Sequence, residues 1–291
     1  MKPLTPLIDG NTHFIAHIGF PTHSFKAPLI YNPYFADAGI NVVVVPMACE
    51  PAQFEGLIRA VLPLPNCKGA LITMPHKVTA MGLASQISPV ARVAGACNAM
   101  RCGDSGEIIA DMFDGAGFVL GIKGKGFDPA GKRALVIGSG GVGSAIAASL
   151  ADAGVSDLGV FDVNAPAAAA LAERLKRHYP GLSAHPSAPD PRGFDLVVNA
   201  TPLGMRADDP LPFDTHHLAA STFVGEVVMS QEETPLLAIA RAKGCAVQVG
   251  VDMLFEQIPA YLAFFGLPNT TASHLRQVAQ IKYICAEKED V

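Results

Sequence analysis

Short apolar runs alternate with stretches of helical spacing along the first part of the chain. Residues 14–19, 42–45 and 69–73 read as strands, and the segments near 29–38 and 51–62 carry helical spacing between them. That alternation predicts βαβ units built on a mainly parallel sheet. A second series begins at Ala134-Leu135-Val136-Ile137 and continues through 158–161, 195–199, 223–226 and 246–249. Between the two series lie residues 121–131, rich in glycine and poor in apolar side chains, as a connecting loop is. After Gly250 the apolar positions Met253, Leu254, Ile258, Tyr261, Leu262 and Phe265 recur at three- and four-residue steps, which predicts a helix with a stripe to bury. Residues 165–170, with Pro166 in a first turn, read as a helix start, and 184–191 as a loop.

Composition narrows the class. A chain of 291 residues allows roughly two domains. Half of it is apolar and 16% is charged, against about 25% in an ordinary soluble domain, so it is a packed chain rather than a disordered one. The net charge of −5 and the lack of any basic run argue against nucleic acid as partner. No apolar run approaches the roughly 20 residues of a membrane helix, and residues 1–10 carry no apolar core of a secretory signal. Neither a membrane nor an export route is expected, which leaves the cytoplasm. The cysteines Cys49, Cys67, Cys97, Cys102, Cys245 and Cys285 form no CxxC pair and read as reduced, buried thiols. His13 and His17 fall in a strand-like stretch without a third ligand, and His216-His217 in a polar surface stretch, so no metal is expected. Oligomeric state is not legible, and monomer and homodimer both stay open.

The sharpest local signal is Gly138-Ser139-Gly140-Gly141-Val142-Gly143, a G-x-G-x-x-G string. It follows an apolar strand and opens a small-residue helix over 144–153, with Gly154 as its stop. Gly138 permits the tight turn, Gly140 lets a pyrophosphate approach the backbone, and Gly143 lets helix and strand pack closely. The helix N-terminus offers free N–H groups to the anion. At the end of the next strand signal stands Asp162, with no Arg at Val163 or Asn164. An acid there accepts from ribose hydroxyls and repels a 2′-phosphate; NAD(H) is therefore expected in preference to NADP(H).

Further strings fall into one order along the chain: Ile72-Thr73-Met74-Pro75-His76-Lys77, Ala94-Gly95-Ala96-Cys97-Asn98, Asp114-Gly115-Ala116-Gly117, Asn199-Ala200-Thr201-Pro202-Leu203-Gly204-Met205, Thr234-Pro235-Leu236-Leu237, and Gly250-Val251-Asp252-Met253-Leu254-Phe255-Glu256-Gln257. Over residues 18–266 the sequence resembles the shikimate dehydrogenase family. The resemblance implies an α/β fold with an N-terminal substrate domain, residues 1–113 completed by the helices of 251–291. It also implies a Rossmann-type dinucleotide domain over 114–250, facing the first across a cleft. It implies Lys77 and Asp114 as the catalytic pair, and Thr73, Asn98 and Gln257 as substrate contacts. Asn199, Thr201, Met205 and Gly250 join the glycine loop as cofactor contacts. The pair also makes chemical sense on its own, because oxidising a secondary alcohol sends hydride to the nicotinamide while a positioned group takes the hydroxyl proton.

The chain departs from the family where a substrate would be recognised. The usual His-Ser-x-Ser-Pro string reads His23-Ser24-Phe25-Lys26-Ala27-Pro28, so at least one carboxylate-holding hydroxyl is gone, with Ser24 and Lys26 as the remaining candidates. Leu71 stands for an Asn, Met112-Phe113 for Asn-Thr, and Met229 for a Tyr. A ligand hydroxyl facing Leu71 or Phe113 loses a partner at roughly 1–3 kcal/mol, and two such losses weaken binding by roughly a hundredfold. The expected function is reversible hydride transfer at a secondary alcohol of a small cyclic hydroxy acid, shikimate or quinate. The alternatives are the same chemistry on a less polar carboxylate and, more remotely, a non-catalytic NAD(H)-binding sensor.

Overall fold

The computed structural model describes residues 7–206, 208–231 and 233–281. They form two compact units, one joining the chain up to Gly117 with Leu254–Ile281, the other made of Phe118–Met253.

In the first unit β1 (His13–Gly19), α1 (Pro28–Ala38), β2 (Val42–Ala48), α2 (Phe54–Val61) and β3 (Cys67–Ile72) follow one another as the alternation predicts. Strands β2 and β3 both pair with β1 in parallel, His17 lying in register with Leu71. Continuous apolar runs suit this arrangement, because helices cover strands on both faces. Four further elements then appear: β4 (Gln86–Ile87), α3 (Pro89–Ala94), β5 (Ala99–Cys102) and β6 (Ile108–Asp111). They complete a six-stranded sheet of order β2-β1-β3-β5-β6-β4, in which β5 is antiparallel to both β3 and β6. The mainly parallel sheet is thus extended by a hairpin. Its strands are four residues each, too short to stand out as apolar runs.

Helix α4 (Asp114–Gly124) carries the chain out of this unit. It absorbs the first residues of the stretch 121–131 expected as a loop, because glycines can continue a helix whose apolar side chains, here Phe118 and Ile122, are already buried.

The second unit runs β7 (Arg133–Ile137), α5 (Gly141–Asp152), β8 (Asp157–Phe161), α6 (Ala165–His178), β9 (Ser183–Pro186), β10 (Leu196–Asn199), β11 (Phe223–Glu226), α7 (Pro235–Ala242) and β12 (Val247–Gln248). All six strands are parallel, in the order β12-β11-β10-β7-β8-β9. This is the doubly wound Rossmann arrangement, with its switch point between β7 and β10. Its edge strand β9 lies in the segment read as a loop, since Pro186 and its polar neighbours are tolerated at an edge. Leu135, Val197, Val224, Leu236 and Leu237 share the core beneath β11 and α7.

Helix α8 (Gly250–Phe264) brings the chain back to the first unit, followed by α9 (Ala272–Val278). There Phe265 packs on β3 at Gly69, whose φ is +145° and where a Cβ would lie 2.5 Å from the ring. The Tyr34 hydroxyl of α1 donates to the Pro268 carbonyl at 3.0 Å, and Leu275 of α9 is wholly buried. Among the described residues no helix is long and apolar enough to cross a membrane, and no group of three or more His, Cys, Asp or Glu side chains could hold a metal. Cys49, Cys67, Cys97, Cys102 and Cys245 are free thiols; Cys285 lies outside the described residues.

Candidate functional site

Two groups of polar side chains stand at strand ends, one in each unit. In the first, Lys77 follows β3 and Asp114 opens α4. The Lys77 ammonium donates to Asp114 Oδ2 at 2.5 Å, with side-chain exposures of only 13% and 4%. Lys77 is anchored by its own backbone, its carbonyl accepting from Cys97 N–H. A buried charge pair of this kind contributes little to stability in itself, so its presence at 13% and 4% exposure points to chemistry.

Asn98 stands between them in sequence and is buried. Its Oδ1 accepts from Phe113 N–H at 2.9 Å, which fixes the amide and leaves Nδ2 without a partner. Gln257, on α8 and also buried, leaves Oε1 without a partner. Buried polar atoms are nearly always paired; an orphaned donor and an orphaned acceptor in one unit mark places kept for a ligand or water. Thr73 is half-buried at the end of β3, its N–H tied to the Ile18 carbonyl.

The altered positions are also placed. Phe113 packs edge-on against Tyr261 and Phe264 at centroid distances of 4.8 and 5.7 Å. Ser24 is exposed and Lys26 half-buried in the turn before α1. Phe25 stacks on His17 at 4.0 Å between centroids. His17 is the site residue that motif reading passes over. It is 8% exposed, Nδ1 has no partner, and burial, with the nearby Lys77 charge, pushes its imidazole down to about 3. One signal was available: a single ionisable side chain within the apolar run 14–18.

In the second unit the glycine loop joins β7 to α5. Gly138 has φ +102°, and a Cβ on Gly143 would lie 1.8 Å from the Gly138 carbonyl oxygen, whereas one on Gly140 meets nothing within 4 Å. Gly140 caps α5, and the first helical bond is Ser144 N–H to the Gly140 carbonyl. The N–H groups of Gly141, Val142 and Gly143 therefore precede the helical ladder and are available to an anion. Across the switch point, Asn199 and Thr201 are engaged in their own turn: Thr201 N–H and Oγ1–H both donate to Asn199 Oδ1, at 3.1 and 2.6 Å. Asn199 Nδ2 in turn donates to the Leu203 carbonyl at 3.0 Å. Met205 is 40% exposed. Gly250 lies so close to Val228 that a Cβ would sit 2.2 Å from its carbonyl oxygen.

The family model described as the shikimate dehydrogenase substrate binding domain matches residues 18–100. Shikimate dehydrogenase (NADP(+)) of Rubrobacter xylanophilus is 34% identical over 267 residues, covering 90% of this chain and 94% of that protein. Its counterpart in Rhodospirillum rubrum, with the same name, is 35% identical over 93% of this chain and 98% of its own length. Among solved structures, quinate dehydrogenase from Corynebacterium glutamicum in complex with NAD is 30% identical, covers 92% of this chain and 98% of its own, and superimposes with a TM-score of 0.79.

These relatives overturn the expected preference for NAD(H) over NADP(H), since the curated ones are named for NADP(+). The physical reason lies in the use made of Asp162. Its Oδ2 accepts from Ser139 N–H at 2.6 Å and from Ser139 Oγ at 2.9 Å, and its Oδ1 from Asn164 N–H at 2.8 Å. Burial raises its carboxyl, but these bonds outweigh that and hold it below the usual range. The carboxylate braces the glycine loop, so its presence at the strand end does not by itself report on the ribose.

Proposed function

This chain belongs to the shikimate dehydrogenase family, and from that premise we propose that it moves hydride between NADP(H) and a secondary alcohol of a small cyclic hydroxy acid of the shikimate or quinate kind. The observation that carries the reading is the buried Lys77–Asp114 pair at 2.5 Å, in the same unit as the orphaned Asn98 Nδ2 and Gln257 Oε1. We assign residues 1–113 with 251–291 to substrate and 114–250 to cofactor. Cytoplasmic residence belongs to the same reading, because the reaction draws on a soluble nicotinamide pool.

The glycine loop fits a dinucleotide: the open side of Gly140 and the N–H groups at the start of α5 suit a pyrophosphate. Bound there, the cofactor supplies the hydride donor or acceptor. The chain's own part is acid–base and positional. In the direction of reduction the Lys77 ammonium donates a proton to the ketone oxygen as that oxygen becomes an alcohol, and oxidation runs the same transfer backwards. Asp114 holds the ammonium in place, while Asn98 Nδ2 donates to, and Gln257 Oε1 accepts from, the ligand's hydroxyls. Leu71 and Phe113 favour a second version of the reading, the same chemistry on a less polar carboxylate.

Lys77→Ala tests the assignment. Turnover of shikimate or quinate is expected to fall by about 10²–10⁴-fold, while NADPH still raises the melting temperature of the variant as it does for the parent. Turnover within a factor of about three of the parent would remove Lys77 from the chemistry.

A further inference from the structure

Side chains from three segments, β1, the turn after it and β3, converge on one spot. His17 of β1 is the in-register partner of Leu71 on β3, and neighbours in register on parallel strands project to the same face. Phe25 reaches back from the turn after β1 and lies face to face with the His17 ring, at 4.0 Å and 28° between planes. The far end of the Phe25 ring comes so close to Gly19 that a Cβ there would lie 2.9 Å from Cζ, and it would lie 2.4 Å from Thr73 Cγ2. His17, Phe25, Leu71 and Thr73 therefore share one wall at the ends of β1 and β3. Lys77 follows β3 by a few residues, close enough for its charge to be felt at the His17 ring.

The wall is aromatic and aliphatic apart from the His17 imidazole and the Thr73 hydroxyl. That ring is buried with Nδ1 unpaired, and its low affinity for protons keeps it neutral at ordinary pH. A neutral imidazole offers one N–H and one lone pair; it cannot serve as a counter-ion. A purely structural position between Phe25 and Leu71 would be better filled by an aliphatic side chain, since an unpaired buried polar group destabilises the fold.

We propose that His17 is a substrate-contacting residue that sets specificity. The ligand it selects is a cyclic hydroxy acid whose ring is flat and unsaturated on the side facing His17 and Phe25, with a single hydrogen-bonding group directed at the imidazole. Stacking on an aromatic pair favours a planar ring over a puckered, hydroxylated one. The inference rests on the proposed function, in which Lys77 and Asp114 act on the reacting atoms of the ligand.

The test compares shikimate with 3,4-dihydroxybenzoate, a carboxylate with vicinal hydroxyls on a fully planar ring, as ligands of the NADPH-bound protein, in the parent, in His17→Leu and in His17→Gln. The parent is expected to bind the planar ring at least about tenfold more tightly than shikimate. His17→Leu is expected to melt a few degrees higher, because an unpaired polar group is gone. It should also lose about tenfold or more of its affinity for the planar ring. His17→Gln, which keeps a hydrogen-bonding group, should recover part of that loss. A merely structural His17 would give the reverse pattern, a lower melting temperature with affinity unchanged, and would overturn the proposal, as would tighter binding of shikimate than of the planar ring by the parent. In either case turnover that still depends on Lys77 leaves the function standing. If neither acid binds and neither shikimate nor quinate is oxidised, the functional reading falls and this inference falls with it.

Discussion

Glu226, the last residue of β11, is wholly buried. Burial drives its carboxyl up to about 7 from an ordinary 4.5, although Thr234 and Asn199 donate hydrogen bonds that pull the other way. A carboxyl raised in the fold binds its proton more tightly there than in the unfolded chain. Between about pH 4.5 and 7 the native state keeps a proton that the unfolded state has released, so stability falls as pH rises through that window and stays lower above it. Glu226→Gln keeps an acceptor for Asn199 and removes the charge. Urea titrations of the two proteins should coincide below about pH 4.5, diverge progressively between about pH 4.5 and 7, and run parallel above that, the variant being more stable there by up to about 3 kcal/mol. Parallel curves across the range would mean that the buried carboxyl titrates normally. Neither Glu226 nor His17 could be assigned from sequence, for one reason. A polar residue inside a strand becomes informative only once its burial and partners are known, and those come from other segments of the chain, such as Asn199 and Thr234 beside Glu226 or Phe25 and Lys77 beside His17.

At the scale of elements the glycine loop separates packing from binding. Gly143 has no room for a methyl group against the Gly138 carbonyl, which is rigid backbone, whereas Gly140 faces open space. Gly143→Ala must push the start of α5 off β7, so a large loss of thermal stability together with loss of NADPH binding is expected. Gly140→Ala, whose backbone at φ −68° suits any residue, should melt like the parent without ligand and show a smaller NADPH-induced shift. A Gly140→Ala protein with unchanged NADPH affinity would mean that the pyrophosphate does not approach there. This loop was readable in advance because each of its glycines answers a local steric demand. The long parallel strands were readable for a similar reason, their apolar runs being self-evident. The hairpin β5–β6, the short β4 and the edge strand β9 were not, because pairing with neighbours rather than local pattern makes them strands. Asp162 failed in the same way: its residue type suggested a ribose contact, while the fold uses it to accept from Ser139.

At the scale of the whole chain, the first unit is built from two segments, one up to Gly117 and one over Leu254–Ile281, separated in sequence by the whole of the second unit. Tyr261 donates to the Asn98 carbonyl at 3.4 Å, Phe265 fills the space over Gly69, and Gln257 supplies an orphaned acceptor. Ile258, Tyr261, Leu262, Phe265 and Leu275 are all buried in this unit. At roughly 1.5–3 kcal/mol for each large apolar side chain, the five together contribute about 8–15 kcal/mol, as much as the whole stability of a typical domain, about 5–15 kcal/mol. The unit Phe118–Met253 keeps its own parallel sheet and the core around Leu135, Val197 and Val224. A chain ending at Met253 should therefore lose the cooperative unfolding of the first unit while the second still melts cooperatively, and NADPH should still raise that remaining transition by the linkage that stabilises any ligand-binding fold. Calorimetry with and without NADPH reads both effects, and the shortened chain should turn over neither shikimate nor quinate. Retention of two cooperative transitions would show that the first unit holds together without α9 and most of α8. Residues 254–281 would then be dispensable for the fold of the first unit, and their part in the site would rest on ligand contacts such as Gln257 Oε1 alone.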